Sequence, residues 1–246
     1  MGNIYIGGYV EDADIWSGQD IIIQDGVNAG ENGRIEAMGN ISARFFENAH
    51  IISHSDIKCD YMLNTTALAY GGIYLEGKRG SVIGGDVTGV RGICIKACGS
   101  ESYSKTVLRV GVTKEISSEY AKVLMVLKDI DTQIDRFNQA LQKLDILKKA
   151  GSDKFDETLN RKLLQSKIVK TAEKAKYEEK SRNLYTLVRE SDRAVVRIDK
   201  NIYPGSRVFM GDKTYVPSTV FTHIALKKTS QGCLLYTSDA ADDLTR

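Results

Sequence analysis

Asn3-Ile4-Tyr5-Ile6, Asp20-Ile21-Ile22-Ile23, Asn40-Ile41-Ser42-Ala43, Asp56-Ile57-Lys58-Cys59, Gly72-Ile73-Tyr74-Leu75 and Gly92-Ile93-Cys94-Ile95 are variants of one phrase: a small or polar residue, an isoleucine, then an alternating strand. The leading isoleucines recur at intervals of roughly 16 to 20 residues, and self-similarity on that scale signals a solenoid. A second, shorter strand follows each phrase, at Asp14-Ile15-Trp16, Arg34-Ile35-Glu36-Ala37, His50-Ile51-Ile52, Thr66-Ala67-Leu68 and Ser81-Val82-Ile83. Each repeat is thus read as two half-turns, separated by corners at Gly7-Gly8, Gly26, Gly30, Asn32-Gly33, Asn48, Asn64, Gly71-Gly72 and Gly84-Gly85. An antiparallel meander would alternate in the same way. Successive strands here begin with the same residue class in the same phase, which favours a parallel coil stacking like on like at about 4.8 Å. Half-turns nearer eight residues than six argue against hexapeptide coils.

Working outward, the period changes at Thr113. Ile116, Tyr120, Val123, Leu127, Ile130, Ile134, Phe137, Leu141 and Leu144 follow at alternating steps of four and three, an unbroken heptad seam. Lys148 and Lys149 suit the last turn of that helix, and Gly151 a left-handed stop. Ser152 or Asp153 is expected to cap a second helix, whose apolar face is read as Phe155, Leu159, Leu163, Ile168, Ala172, Ala175, Leu184 and Val188. Near-equal helix lengths predict an antiparallel hairpin, an arm of about 50 Å. Strand patterns resume at Ala194-Val195-Val196-Arg197-Ile198, turn at Pro204-Gly205, and run to Leu226. The expected organisation is solenoid coils over 1–112, a helical coiled-coil hairpin over 113–193, capping strands over 194–228 and an unfolded tail over 229–246. The first strand begins without a cap, so a preceding capping domain is expected in the intact protein. Residues from about Gly232 resemble an in-frame translation of a transposon-end sequencing adapter, so the tail is set apart as non-native and Cys233 is left out of redox arguments.

Composition sets limits on function. Twenty-two glycines against two prolines suit many tight turns, and a net charge of +2 offers no field for nucleic acid or an anionic membrane. No apolar run approaches the ~18 residues needed to insert in a membrane, and the N-terminus lacks a signal-peptide pattern. Cys59, Cys94, Cys98 and Cys233 form no CxxC pair, which points to a reduced, cytoplasmic setting.

Candidate chemistry in the coils is sparse. His50 and His54 have the spacing of a helical zinc pair but lie on a strand with no third ligand in view. Cys94 and Cys98 stand too far apart along a strand to bridge. Gly77-Lys78-Arg79-Gly80 with Gly84-Gly85 is reminiscent of phosphate-binding loops but lacks the Lys-Ser/Thr ending and the helix. It is read as a solvated corner. No catalytic residue, cofactor or metal is expected.

The order and spacing of several landmarks resemble the flagellar assembly protein A family over about Gly2 to Lys228. They are the repeated Gly/Asp-Ile-x-Ile strands, Arg44-Phe45-Phe46-Glu47-Asn48-Ala49, Glu76-Gly77-Lys78-Arg79-Gly80-Ser81-Val82-Ile83-Gly84-Gly85, Gly99-Ser100, Lys105-Thr106 leading to Val110-Gly111-Val112, the heptad hairpin, and Ile202-Tyr203-Pro204-Gly205. The resemblance implies a mainly β fold with an α insertion: a right-handed parallel β-helix interrupted by a long antiparallel coiled-coil hairpin. It also implies no established catalytic residues and, in some members, a link to flagellar assembly. Arg44, Phe46, Glu47, Asn48, Gly77, Lys78, Gly80, Gly84, Gly85, Tyr203, Pro204 and Gly205 carry over as signature positions without an assigned role. The N-terminal domain common in the family is missing from this stretch.

The leading expectation is therefore a non-enzymatic scaffold whose arm or solenoid face meets protein partners, in the cytoplasm or at the cell pole. Self-association into bactofilin-like filaments through the coil ends is the alternative, and a carbohydrate-active β-helix enzyme the distant third. That enzyme would need acids or bases clustered in register on one strand face.

Overall fold

The computed structural model describes residues 2–30, 33–228 and 234–237. The chain divides into two compact units: residues 1–113 with 187–246, which are almost entirely β, and residues 114–186, which are helical.

The β unit is a parallel solenoid. Its first ladder is set by the isoleucine phrase: Ile4 pairs with Ile21, Ile21 with Ile41, Ile41 with Ile57, Ile57 with Ile73, Ile73 with Ile93 and Ile93 with Val196. From Ile21 to Val196 every member of this row is fully buried. The residue before each isoleucine explains why the phrase opens as it does. Asp20 N–H donates to Asn3 Oδ1 (3.1 Å), Asn40 N–H to Asp20 Oδ1 (2.6 Å), Asp56 N–H to Asn40 Oδ1 (3.2 Å) and Gly72 N–H to Asp56 Oδ1 (2.8 Å). Each Asx side chain satisfies a backbone donor of the next coil, at a corner where the strand ladder has stopped.

Each coil has three strands, not the two half-turns expected from the sequence. A middle ladder joins Val10, Val27, Phe46, Met62, Val82, Cys98 and Ile202. A third joins Ile15, Ile35, Ile51, Ala67, Val87, Leu108 and Val208. Ser81-Val82-Ile83 consequently belongs to the middle ladder, beside Tyr61–Leu63, while Thr66–Leu68 pairs with residues 86–88 of the third. The middle strands are short, such as Val10–Glu11 and Phe45–Glu47, and in Tyr61–Ala69 and Ser81–Gly89 they run on into the third strand. The corner after the middle strand has left-handed backbone at Asp12, Asn48, Asn64, Gly84 and Gly99, residues that accept this conformation at the least cost.

The parallel order ends in the last strands. Phe221–Lys228 lies antiparallel to Val195–Ile202, and Lys213–Tyr215 antiparallel to Ser206–Met210. His223 takes φ +51° opposite a register shift between Ile198 and Asn201. Within the tail that the sequence reading set apart as unfolded, Leu234–Thr237 forms a strand paired with Phe221–Lys228; residues 229–233 and 238–246 lie outside the described residues.

The helical unit is carried by α1 (Lys114–Lys149) and α2 (Glu157–Ser191). Ile116, Val123, Ile130 and Leu144 of the heptad seam are buried. The end of α1 closes as expected: Gly151 has φ +60°, its N–H donates to Lys148 O, and Ser152 N–H donates to Leu147 O. The cap of α2 differs from expectation. Asp156, not Ser152 or Asp153, accepts from Thr158 N–H (2.8 Å) and Leu159 N–H (3.0 Å). The face of α2 differs too. Ile168 is 68% exposed and Leu159 45% exposed. The more sheltered positions are Leu163, Lys167, Lys170, Lys174, Tyr177 and Leu184. Lysines fit there because their heads reach carboxylates: Lys174 Nζ lies 2.7 Å from Asp131 Oδ1, and Lys170 Nζ 2.7 Å from Glu173 Oε2. Neither helix is long and apolar enough to cross a membrane.

Candidate functional site

The middle ladder brings two signature segments together. Phe45–Glu47 pairs with residues 61–63, which pair in turn with residues 81–83. Alternation sends Phe46 inward, where it is among the largest fully buried side chains, and sends Phe45 and Glu47 outward. On the outer surface the Phe45 and Tyr61 rings stack, with centroids 5.1 Å apart and planes 11° apart. Tyr9 extends the row at 6.0 Å from Phe45, and the Arg79 guanidinium sits 4.4 Å from the Tyr61 ring centroid at the other end. Gly26 lies between Tyr9 and Phe45 in the coil order. A Cβ at Gly26 would collide with the Phe45 ring, so the glycine is what lets the ring lie flat across that coil.

Tyr61 Oη donates to Glu47 Oε1 at 2.7 Å. Partial burial, and then the hydrogen bond and charge of Glu47, push the Tyr61 phenol above its ordinary value, against the smaller pull of Arg79. The phenol therefore stays a donor through neutral and mildly alkaline pH.

The loop most like a ligand cradle is filled from within. Asp60 Oδ1 accepts from Arg79 N–H (2.8 Å) and Gly80 N–H (3.2 Å), and Gly80 has φ +57°. These are the backbone donors that an anion would use. A Cβ at Gly77 would strike the same carboxylate. Lys96 Nζ closes the corner from the next coil by donating to Gly77 O at 2.7 Å. Lys78 itself points to solvent, as does Arg44, whose backbone N–H donates to Asp25 O.

The remaining signature positions shape corners. Asn48 holds φ +47° and donates from Nδ2 to Asn28 Oδ1 at 3.3 Å. Gly84 N–H donates to Thr106 Oγ1 at 2.9 Å, and a Cβ at Gly85 would meet the Thr65 carbonyl. Tyr203, Pro204 and Gly205 lie further along the solenoid, away from the Phe45 row. There Tyr203 N–H donates to Cys98 O, and Gly205, at φ +92°, packs on the Tyr103 backbone.

The isolated candidates stay apart. His54 stacks on Tyr70 with centroids 4.8 Å apart, and its Nε2 is 3.6 Å from Glu36 Oε1. His50 is exposed in the third ladder, between Arg34 and Thr66. Among the described residues no group of three or more His, Cys, Asp or Glu gathers where a metal ion could sit. Cys59, Cys94 and Cys98 are free thiols. Burial raises all three, Cys98 to about 12, which makes them poor nucleophiles.

Sequence reasoning found Glu47 and the Gly77–Gly80 corner, and named Gly26 as a corner and Phe45 and Arg79 only within landmark stretches; it missed Tyr9, Tyr61 and the carboxylate that fills the corner, Asp60. Equivalent positions in register would have exposed the row, had the middle strand been recognised as a ladder of its own.

A family model described as the Flagellar Assembly Protein A beta solenoid domain matches residues 1–231. No curated protein and no solved structure matches the chain.

Proposed function

Because the chain belongs to the Flagellar Assembly Protein A beta solenoid family, we propose that it is a non-enzymatic scaffold: a right-handed solenoid rod that presents an antiparallel coiled-coil arm to protein partners in flagellar or polar assembly. The observation that carries this reading is the continuity of the coil across the helices. Ile93 pairs with Val196 and Leu108 with Val208, in the register used by earlier coils, although α1 and α2 intervene in the chain. A long helical excursion that leaves the framework's register undisturbed is suited to reaching partners rather than to holding the rod together. Right-handed winding is the sense that strand twist favours for parallel crossovers. Antiparallel helices are supported by the order of their contacts: Glu119 meets Lys180 and Tyr120 nears Tyr185, whereas the later Asp131 meets the earlier Lys174. The Asp60-filled corner favours a structural over a phosphate-binding role for Gly77–Gly80.

The test is co-purification of flagellar assembly components with the full chain and with a variant in which residues 114–192 are replaced by a short Gly-Ser turn. The reading expects those components to be lost with the arm while far-ultraviolet circular dichroism keeps its β signal. Undiminished recovery by the armless variant would refute the arm's role.

A further inference from the structure

The face of α2 turned away from the sheltered side carries its own pattern. At helical spacing it reads Glu157, Arg161, Leu164, Ile168, Ala172, Ala175, Glu179, Arg182. Leu164 is 44% and Ile168 68% exposed; both alanines and both flanking charged pairs are exposed as well. An apolar centre this open, on a helix whose other face supplies contacts such as Lys174–Asp131, is left without a partner among the described residues of the single chain.

The sequence of the stripe specifies what would cover it. Place a second α2 against the first, antiparallel, with a two-fold axis passing near Lys170. Ile168 then faces Ala172 of the second copy, and Leu164 faces Ala175, so each large side chain meets a small one. Arg161 faces Glu179, and Glu157 faces Arg182, so every charge meets its opposite. A parallel pairing would instead set Ile168 on Ile168, Arg161 on Arg161 and Glu179 on Glu179. Self-complementarity of both size and charge under one rotation is the property of an isologous interface. Arg161 approaches Glu157 of its own helix only at 3.8 Å, with both side chains about four-fifths exposed, so neither charge is committed within the chain.

We propose that α2 is a homodimerisation helix, and that two copies of the chain associate through antiparallel packing of Leu164, Ile168, Ala172 and Ala175, held in register by Arg161–Glu179 pairs. This goes beyond the scaffold reading, which concerns other protein partners, and either can fail without the other.

Sedimentation equilibrium of the full chain decides the matter, at loading concentrations from about 1 to 200 μM. The wild type is expected to show a reversible monomer–dimer equilibrium. Arg161→Glu sets a carboxylate against Glu179 of the second copy and should weaken dimerisation by about tenfold or more, a change of ~1.4 kcal/mol. Adding Glu179→Arg to the same chain restores the opposite charges and should return the dissociation constant to within about threefold of wild type. Both substitutions are on an exposed helix surface, and helicity by circular dichroism checks that the fold is kept. A wild type that stays monomeric throughout would overturn the proposal. So would a dimer indifferent to Arg161→Glu, or a double variant no better than the single one.

Discussion

The solenoid and the helix pair are built on opposite economies. In the solenoid the inward residues of the inner coils are stacked between their counterparts on either side, and most of the three rows are sealed from solvent. In the helix pair, buried apolar residues come down to Ile116, Val123, Ile130, Leu144 and Leu184, over two helices of 36 and 35 residues. A repeat that stacks on itself closes its own core, whereas two helices packed on each other can cover only one face of each. The framework is therefore stabilised internally, and the helices keep apolar surface in reserve.

The sharpest way to break this contrast is to cut one large side chain from each unit. Phe46→Ala removes a fully buried ring from the middle row and should cost about 3–5 kcal/mol. Ile130→Ala, at the centre of the α1 seam, should cost about 2 kcal/mol, the low end for such a change, because two helices can close over the gap more easily than stacked coils can. Hydrogen exchange separates the two: Phe46→Ala should expose amides of several neighbouring coils, and Ile130→Ala only amides of α1 and α2. Equal losses, or loss of solenoid protection in Ile130→Ala, would mean that the units are one cooperative body.

A smaller effect is expected at the corner that imitates a ligand site. Asp60→Ala leaves the Arg79 and Gly80 N–H groups without their acceptor and should cost about 1–2 kcal/mol by urea denaturation, with Asp60→Asn recovering most of it through its remaining oxygen. The vacated donors then form an anion nest, so sulfate should stabilise Asp60→Ala more than it stabilises the wild type. Equal sulfate responses would show that the carboxylate is not what fills the corner.

How far the sequence disclosed these features followed from how far each one repeats. The isoleucine row was legible because its period and its leading Asx residues recur, and it appears in the expected register from Ile4 to Ile93, with Val196 continuing it beyond the helices. The middle row was not legible, because its strands are as short as two residues and in Tyr61–Ala69 merge with the next face. Without that ladder, outward residues such as Phe45 and Tyr61 could not be matched to each other. The α1 seam could be read directly. The α2 face could not, because hydrophobicity points toward Ile168 while the sheltered side uses lysines such as Lys170 and Lys174, whose stems are apolar and whose charge finds carboxylates. Among the signature positions, Phe46, Asn48, Gly84 and Gly85 proved to be core and corner residues. The chemistry that distinguishes Asp60 lies in a contact between coils that no local pattern encodes.

That last point predicts the smallest effect. Lys180 and Glu119 lie 2.6 Å apart, each about half exposed, and their hydrogen bond, followed by the Glu119 charge, raises the Lys180 ammonium above its ordinary value. A raised lysine contributes stability that is fully present below its unfolded value near 10.4 and disappears as pH climbs through the folded one. Solvent screens the pair, so Lys180→Ala should cost no more than about 1 kcal/mol, and less in 1 M salt. Ile130→Ala should be nearly indifferent to that salt. If Lys180→Ala matched Ile130→Ala in size at both ionic strengths, the helix pair would be held chiefly by its charges, and the contrast with the apolar solenoid would be one of chemistry as well as of extent.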